Sequence, residues 1–344
     1  MRICVVGDGI AGTLLAWRLA ATAQVCLVSG GAANNDATGA SGGLVRAFET
    51  DPGNAAAALD GLVQLYADDD LRRMAGYRET GSVYLTGRAP ARGLLADVEA
   101  RLPGSVSVIG GAEAGARFGI CGAPGDSHAI VEQRSGYLNP GRLRDRIRAL
   151  LPQLGVELAP GPLARLAARG GLGYEADGRF RYADAIVLAT GAWTPRLLSA
   201  NGLKAAGLRT KAVEYTVFAV DGPVPPPFVD EHSGLYGRPA GPGRILLGLP
   251  SGRWDIEPPG WADAGQQQRV HETARTVLPG LRLLAAVRSG AAVDAYCADG
   301  RLRLRPVTGG IYTFTGGSGG AAKTALAASA AAARGLAQCG EEQL

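Results

Sequence analysis

The stretch "VVGDGIAGTLLAWRLAATAQVCLVSGG", residues 5–31, decides the fold. Its flanks "RICVVG" (2–7) and "AQVCLVS" (23–29) are apolar runs of strand length, and "GTLLAWRLAAT" (12–22) between them has helical character, so the chain opens as a β-α-β unit. Gly7, Gly9 and Gly12 fall where such a unit turns. The first permits the tight turn, the second lets backbone approach a pyrophosphate, and the third lets helix and strand pack closely. Ile10 and Ala11 then open the helix, whose first amides and partial positive charge suit phosphate. The unit closes on Ser29 and Gly30, where an acidic residue normally takes the ribose. A carboxylate there is worth roughly 1.5–3 kcal/mol in charge-assisted hydrogen bonds, and a serine hydroxyl gives less. No arginine follows to clamp a 2′-phosphate, since the next residues are Gly31, Ala32 and Ala33.

Bulk composition narrows the classes. The chain has 344 residues, room for two packed domains, with 47% hydrophobic and 19% charged residues, values of a globular enzyme. The net charge of +4 is spread over arginine-rich stretches interleaved with acids, a solvated surface without the basic aromatic face of a nucleic-acid binder. Cys4, Cys26, Cys121, Cys297 and Cys339 lie far apart, with no spacing of a metal or disulfide framework, and two fall in buried strands. A first strand beginning at Arg2 leaves no room for a signal peptide, and the most apolar stretch, 321–337, is broken by Lys323 and Arg334. The expectation is a cytoplasmic protein with no membrane span and room for homo-oligomer formation.

Further along, "ALDGLVQLYADDDLRRMAG" (58–76) is helical and "GSVYLTG" (81–87) is a strand. "NPGRLRDRIRALLPQLG" (139–155) predicts a helix with Leu143, Ile147, Leu150 and Leu151 on one face, Pro140 in the first turn and Gly155 past the end. "ADAIVLATGAW" (183–193) is a buried strand running into a glycine turn. From 211 to 250 the pattern changes to alternating strands, "KAVEYTVFAV", "SGLYGRP" and "GRILLGLP", separated by the loop "DGPVPPPF", as in an antiparallel sheet. The chain ends in strand, glycine turn and helix. The fold class is therefore α/β: a Rossmann-like cofactor domain of discontinuous segments (1–50, 136–205 and 285–344) and an α+β substrate domain with an antiparallel sheet (51–135 and 206–284).

Three small-residue turns add to the first. "DATGASGGLVRAF" (36–48) offers amides to a phosphate or flat ring, "ATGAW" (189–193) is a second close-approach turn, and "TGGSGG" (315–320) caps the last helix. With "TGSVYL", "GYLNPGRL", "ADAIVLATGAWTP", "LYGRPAGPGRILLG" and "ADG" (298–300), these motifs run through nearly the whole chain. In this order they resemble the D-amino-acid oxidase superfamily of FAD enzymes, glycine oxidase and sarcosine oxidase branch. The resemblance implies one FAD. Its large ring system makes the loss of one ribose contact at Ser29 tolerable. By that resemblance Leu163, opening "LARL" (163–166), meets the adenine through its backbone, and Thr190, Gly191 and Trp193 line the adenosine and pyrophosphate side. Ala40, Ser41, Gly42, Gly43 and Leu44 lie along the pyrophosphate and the flavin edge. Gly316, Gly317, Ser318, Gly319 and Gly320 face the pyrimidine end, where a helix N-terminus stabilises reduced flavin.

The sequence also departs from that family. Where glycine oxidases carry a carboxylate-binding arginine shortly before the Asp-Gly pair matching Asp299–Gly300, this chain has Asp294, and the second arginine position falls at about Gly319. Asp294 either attracts an ammonium or caps a turn. Replacement cations are Arg238, two residues beyond the family's substrate tyrosine at Tyr236 and so on the same strand face, then Arg46 after the flavin-edge turn. Two more are Lys323, in the range where the resemblance to sarcosine oxidases implies a carboxylate-binding lysine, and Arg303, which alternates with Arg301 and Arg305. The family's flavin-linking cysteine falls near Ala292, with Cys297 out of register, so noncovalent FAD is expected. His128, His232 and His271 are read as surface residues.

The implied activity is oxidation of an amine carbon–nitrogen bond, with hydride passing to flavin, hydrolysis of the imine, and O₂ reduced to hydrogen peroxide. Loss of the arginines favours an N-substituted glycine or other amino acid over free glycine. A glycine oxidase homologue of secondary metabolism fits this reading. Two alternatives stay open: an FAD-dependent dehydrogenase of a 2-hydroxy acid or amine using another acceptor, and a flavin-binding protein without turnover.

Overall fold

The strand Arg2–Val6 is apolar at every residue after the first because both its faces are covered, as a central parallel strand requires. The computed structural model describes residues 1–30, 36–161, 163–167, 172–204 and 207–341. Arg2–Val6 lies between Gln24–Ser29 and Ala185–Leu188, parallel to both. Glu157–Pro160 and Ile311–Thr315 extend the sheet in parallel on either side, and Arg303–Thr308 closes one edge antiparallel. This is the expected α/β core. Cys4 and Cys26 are buried in adjacent register within it.

The helix Ile10–Leu19 covers one face through Leu14, Leu15 and Leu19, packed with Leu62 and Leu326 from the helices Pro52–Ala67 and Ala321–Glu341. The run read as one helix over 58–76 is two, because the Asp68 side chain accepts from Leu71 N and starts a new helix, Asp69–Ala75. Pro140–Leu150 forms as expected, capped by Asn139, with Leu143 and Ile147 buried. Leu151–Leu154 follows as a 3₁₀ turn ended by Gly155 at φ 80°.

The second large sheet has eight strands. In spatial order they are Arg282–Cys297, Leu208–Asp221, Arg244–Gly248, Tyr236–Pro239, Phe228–Asp230, Ser82–Thr86, His128–Glu132 and Val106–Gly110. Every neighbouring pair is antiparallel except Phe228–Asp230 against Ser82–Thr86. One face packs Phe218, Phe228 and Leu247 against Val270 and Ala274 of the helix Ala264–Val277. The boundary expected at residue 285 cuts the strand Arg282–Cys297, which pairs along the whole of Leu208–Asp221. Its exposed first half, at a sheet edge, shows no alternation that marks it as a strand. No helix among the described residues is long and apolar enough to cross a membrane.

Candidate active site

A cleft of about 1030 Å³ lies between the carboxyl ends of the parallel strands and the floor of the eight-stranded sheet. Its cofactor side is built from backbone. Gly7 has φ 106°, and a Cβ there would stand 2.6 Å from the carbonyl oxygen of Ala189. A Cβ on Gly12 would stand 1.9 Å from the Gly7 carbonyl oxygen, so only glycine lets the helix sit this close to the loop. Gly9 caps the helix without a side chain; Ile10 N donates to Thr38 Oγ1 at 3.0 Å, and the amides of Ala11 and Gly12 have no acceptor among the described residues. Open amides at a helix start, beside a loop too tight for side chains, fit a pyrophosphate.

Around this start the cleft is lined by Gly7, Gly9, Ile10, Ala11, Gly30, Ala40, Ser41, Gly42, Gly43, Leu44, Thr190, Gly191, Trp193, Gly316, Gly317, Gly319 and Gly320. Of the other expected cofactor residues, Gly12, Ser318 and Ser29 stand apart from the lining among the described residues. Gly12 packs helix on strand. Ser318, at φ 51°, accepts from Cys297 N and donates to Gly316 O within its own turn. Leu163 begins the strand Leu163–Ala167, and its side chain lies outside the described residues. Ser29 donates its hydroxyl to Asp8 Oδ2 at 2.6 Å. That last bond bears on the missing ribose acid, because Asp8, unremarked in the sequence, does line the cleft. Its Oδ2 also lies 3.4 Å from Arg148 Nε, and its Oδ1 has no partner among the described residues.

On the substrate side the structure brings together Arg46, Lys323, Asp294 and Tyr236. Arg46 (7% exposed) and Lys323 both bind Glu49 Oε1, at 2.6 and 3.0 Å. Burial acts to raise the Glu49 carboxyl, but the two cations outweigh it and hold it below the usual carboxylate range. Burial pulls Lys323 below the usual lysine range. Two cations thus share one carboxylate. Behind them the buried Glu132 accepts from the amides of Ala47 and Phe48, both at 2.8 Å, which fixes the segment carrying Arg46.

Asp294 accepts from Ala295 N at 2.8 Å and from Gly319 N at 3.0 Å, so it ties the C-terminal glycine turn to the sheet while facing the cleft. Burial raises its carboxyl above the usual range. Directly across the antiparallel pair stands Lys211, which also lines the cleft. Its Nζ lies 4.6 Å from the Trp254 ring centre and 5.4 Å from that of Tyr296, with no carboxylate bound to it among the described residues. Sequence reading missed Lys211, since its place beside Asp294 depends on pairing with the unrecognised strand 282–297. Tyr236 donates its hydroxyl to Glu214 O at 3.1 Å.

Two expected cations lie elsewhere. Arg303 is exposed and donates to Asp299 Oδ2 at 2.8 Å, outside the cleft lining. Arg238 shares a strand with Tyr236, but its Nε donates to Gly42 O and its Nη1 to Pro239 O, so the turn at Gly42 stands across its path. Its guanidinium stacks 4.5 Å from the Tyr137 ring centre and lines a separate, smaller cavity. Cys297 lies against Gly316 O, Asp299 and Arg305, likewise outside the lining among the described residues.

The sequence profile of the family described as FAD dependent oxidoreductase matches residues 2–334. No curated protein matches the sequence. Among solved structures, L-proline dehydrogenase from P. horikoshii is similar with a TM-score of 0.80 at 17% identity, covering 98% of this chain and 93% of that one. Glycine oxidase from Geobacillus kaustophilus is similar with a TM-score of 0.76 at 20% identity, covering 98% and 95%. Iminodiacetate oxidase from Chelativorans sp. BNC1 is similar with a TM-score of 0.73 at 20% identity, covering 97% and 95%. At these identities the likeness establishes the fold.

Proposed function

Since the chain belongs to the FAD-dependent oxidoreductase family, we propose that it oxidises the carbon–nitrogen bond of a carboxylate-bearing amine. The carbon gives up a hydride and the nitrogen a proton, forming an imine. Water hydrolyses the imine to a 2-oxo acid or glyoxylate and a free amine, and O₂ takes the two electrons and two protons as hydrogen peroxide. FAD supplies the hydride acceptor when bound.

The observation that carries this reading is the Arg46–Glu49–Lys323 cluster, which presents one net positive charge to the cleft. A substrate carboxylate restores the balance there, with charge-assisted bonds in a setting of low dielectric. Asp294 faces the cleft from the sheet floor, where its ionised form favours an amine that becomes cationic as the imine forms. Tyr236, its hydroxyl fixed on Glu214 O, forms part of the apolar wall. With an aspartate in place of the arginine expected for glycine oxidases, N-substituted glycines are the favoured class. The similarity to iminodiacetate oxidase supports this, because iminodiacetate is itself an N-carboxymethyl glycine.

The test is an oxygen-electrode assay with N-carboxymethyl amino acids, N-alkyl glycines, glycine and 2-hydroxy acids. The expected result is O₂ consumption with equal amounts of peroxide, glyoxylate and free amine from the N-substituted glycines. Dye reduction without O₂ uptake, or turnover of 2-hydroxy acids alone, contradicts the reading.

A further inference from the structure

The smaller cavity, of about 260 Å³, is lined by Arg78, Arg142, Arg238 and Arg288, with Tyr137 and Asn139. It draws four guanidinium groups from four separate stretches of chain. Other arginines are matched with carboxylates, as in Arg144–Asp36, Arg181–Asp177, Arg209–Asp255 and Arg301–Asp51. None of these four has a carboxylate within salt-bridge distance among the described residues. Their hydrogen bonds go to neutral oxygens: Arg142 to Arg73 O at 2.9 Å, Arg238 to Gly42 O and Pro239 O, and Arg288 to the Tyr215 hydroxyl at 3.2 Å. Arg238 is half-buried, its guanidinium carbon 4.5 Å from the Tyr137 ring centre, and burial together with the nearby Arg288 charge pulls its pKa down. Like charges gathered without a counter-ion repel one another, and an anion seated among them removes that cost.

We propose that this cavity is a binding site for a small phosphate-bearing anion. Guanidinium forks match phosphate oxygens in pairs, and a tetrahedral group with several oxygens engages several arginines at once, which a single planar carboxylate does not. The volume suits inorganic phosphate, pyrophosphate or a small phosphate ester and excludes a dinucleotide, for which the larger cleft is built. The helix Pro140–Leu150 begins at this cavity, capped by Asn139, and its N-terminal dipole has the same sign as the arginines. Arg238 connects the two cavities, since its Nε bonds to Gly42 in the turn that lines the larger one.

The test is calorimetric titration of the FAD-loaded enzyme, so that the cofactor's own pyrophosphate site is filled, with inorganic pyrophosphate at low salt and no amine present. One site per chain is expected, and Arg78→Gln with Arg142→Gln weakens it by at least about tenfold, as does Arg288→Gln. Arg101→Gln, at an exposed arginine paired with Asp60, leaves affinity unchanged. Phosphate and phosphoserine titrated in parallel separate a free anion from an ester: tighter binding of phosphoserine assigns the site to esters. Circular dichroism and melting curves establish that the variants fold. Absence of a site on the loaded enzyme, or equal weakening by Arg101→Gln, overturns the proposal. The titration contains no amine, so it succeeds or fails independently of the oxidase reading.

Discussion

Replacing Lys323 with methionine lowers kcat/KM for the amine substrate by about 100-fold, because it removes the charge that makes the cluster cationic. Lys323 stands in the first turn of the helix Ala321–Glu341, and its ammonium lies 3.0 Å from Glu49 Oε1. Arg46 binds the same oxygen at 2.6 Å. With lysine present the three groups sum to one positive charge; with methionine they sum to zero, and an incoming carboxylate meets a neutral pair. Loss of one partner from a desolvated charge cluster costs about 2–5 kcal/mol, and 1.36 kcal/mol is a decade in rate. The same residue sets a pH dependence. Burial lowers the Lys323 pKa, so the ammonium that attracts the anion is lost as pH rises through a value below the usual lysine range. In the parent enzyme kcat/KM therefore falls on the alkaline side earlier than an ordinary lysine would dictate. In Lys323→Met that limb disappears and activity stays low throughout. Steady-state pH profiles of both proteins check this, and an unchanged kcat/KM removes Lys323 from the substrate site.

The second large effect is on cofactor affinity. Asp8→Asn weakens FAD binding by about 10- to 100-fold, the equivalent of roughly 1.5–3 kcal/mol for a hydrogen bond to a charged group. The acid normally found at the end of the second strand is here Ser29, whose hydroxyl donates to Asp8 Oδ2 at 2.6 Å. Ser29 orients that carboxylate, and Arg148 Nε lies 3.4 Å from the same oxygen. The proposed role of Asp8, in the loop after the first strand, is that of ribose acceptor in place of the acid at the end of the second. Asp8→Ala combined with Ser29→Asp returns a carboxylate to the usual place and recovers most of the affinity, whereas Asp8→Ala alone does not. Flavin fluorescence titration of apoprotein measures all three. Tighter binding by Asp8→Asn means that Asp8 repels the pyrophosphate, and the assignment fails.

Much of the fold was legible because its signals are local. The glycines at 7, 9 and 12 follow an apolar run and open a helix, and at Gly7 and Gly12 the close approach of backbone requires glycine. Long-range pairing hid the remainder. The strand Arg282–Cys297 carries no clean alternation, since half of it is an exposed edge, so the opposition of Lys211 and Asp294 had no sequence signal. Arg238 shows how period-two reasoning runs out. Residues 236 and 238 share a face, yet the cleft ends between them at the Gly42 turn, and a carbonyl captures the guanidinium. Asp8 occupies the unspecified position between Gly7 and Gly9, so the glycine motif carries no signal for it. Glu132 is a buried acid held by two backbone amides and Glu49 is held between two cations, placements that no composition or spacing reveals. Of the proposed cations, Arg46 and Lys323 come together from opposite ends of the chain, whereas Arg303 turns to Asp299 at the surface.

The most direct test of the central claim is the anaerobic visible spectrum of the purified, FAD-loaded protein before and after addition of an N-carboxymethyl amino acid. The account predicts a yellow protein whose oxidised flavin band bleaches with the N-substituted glycine and responds far less to glycine. It also predicts that Lys323→Met retains the colour but needs much more substrate to bleach. A yellow protein that no carboxylate-bearing amine reduces would contradict carbon–nitrogen oxidation at this site.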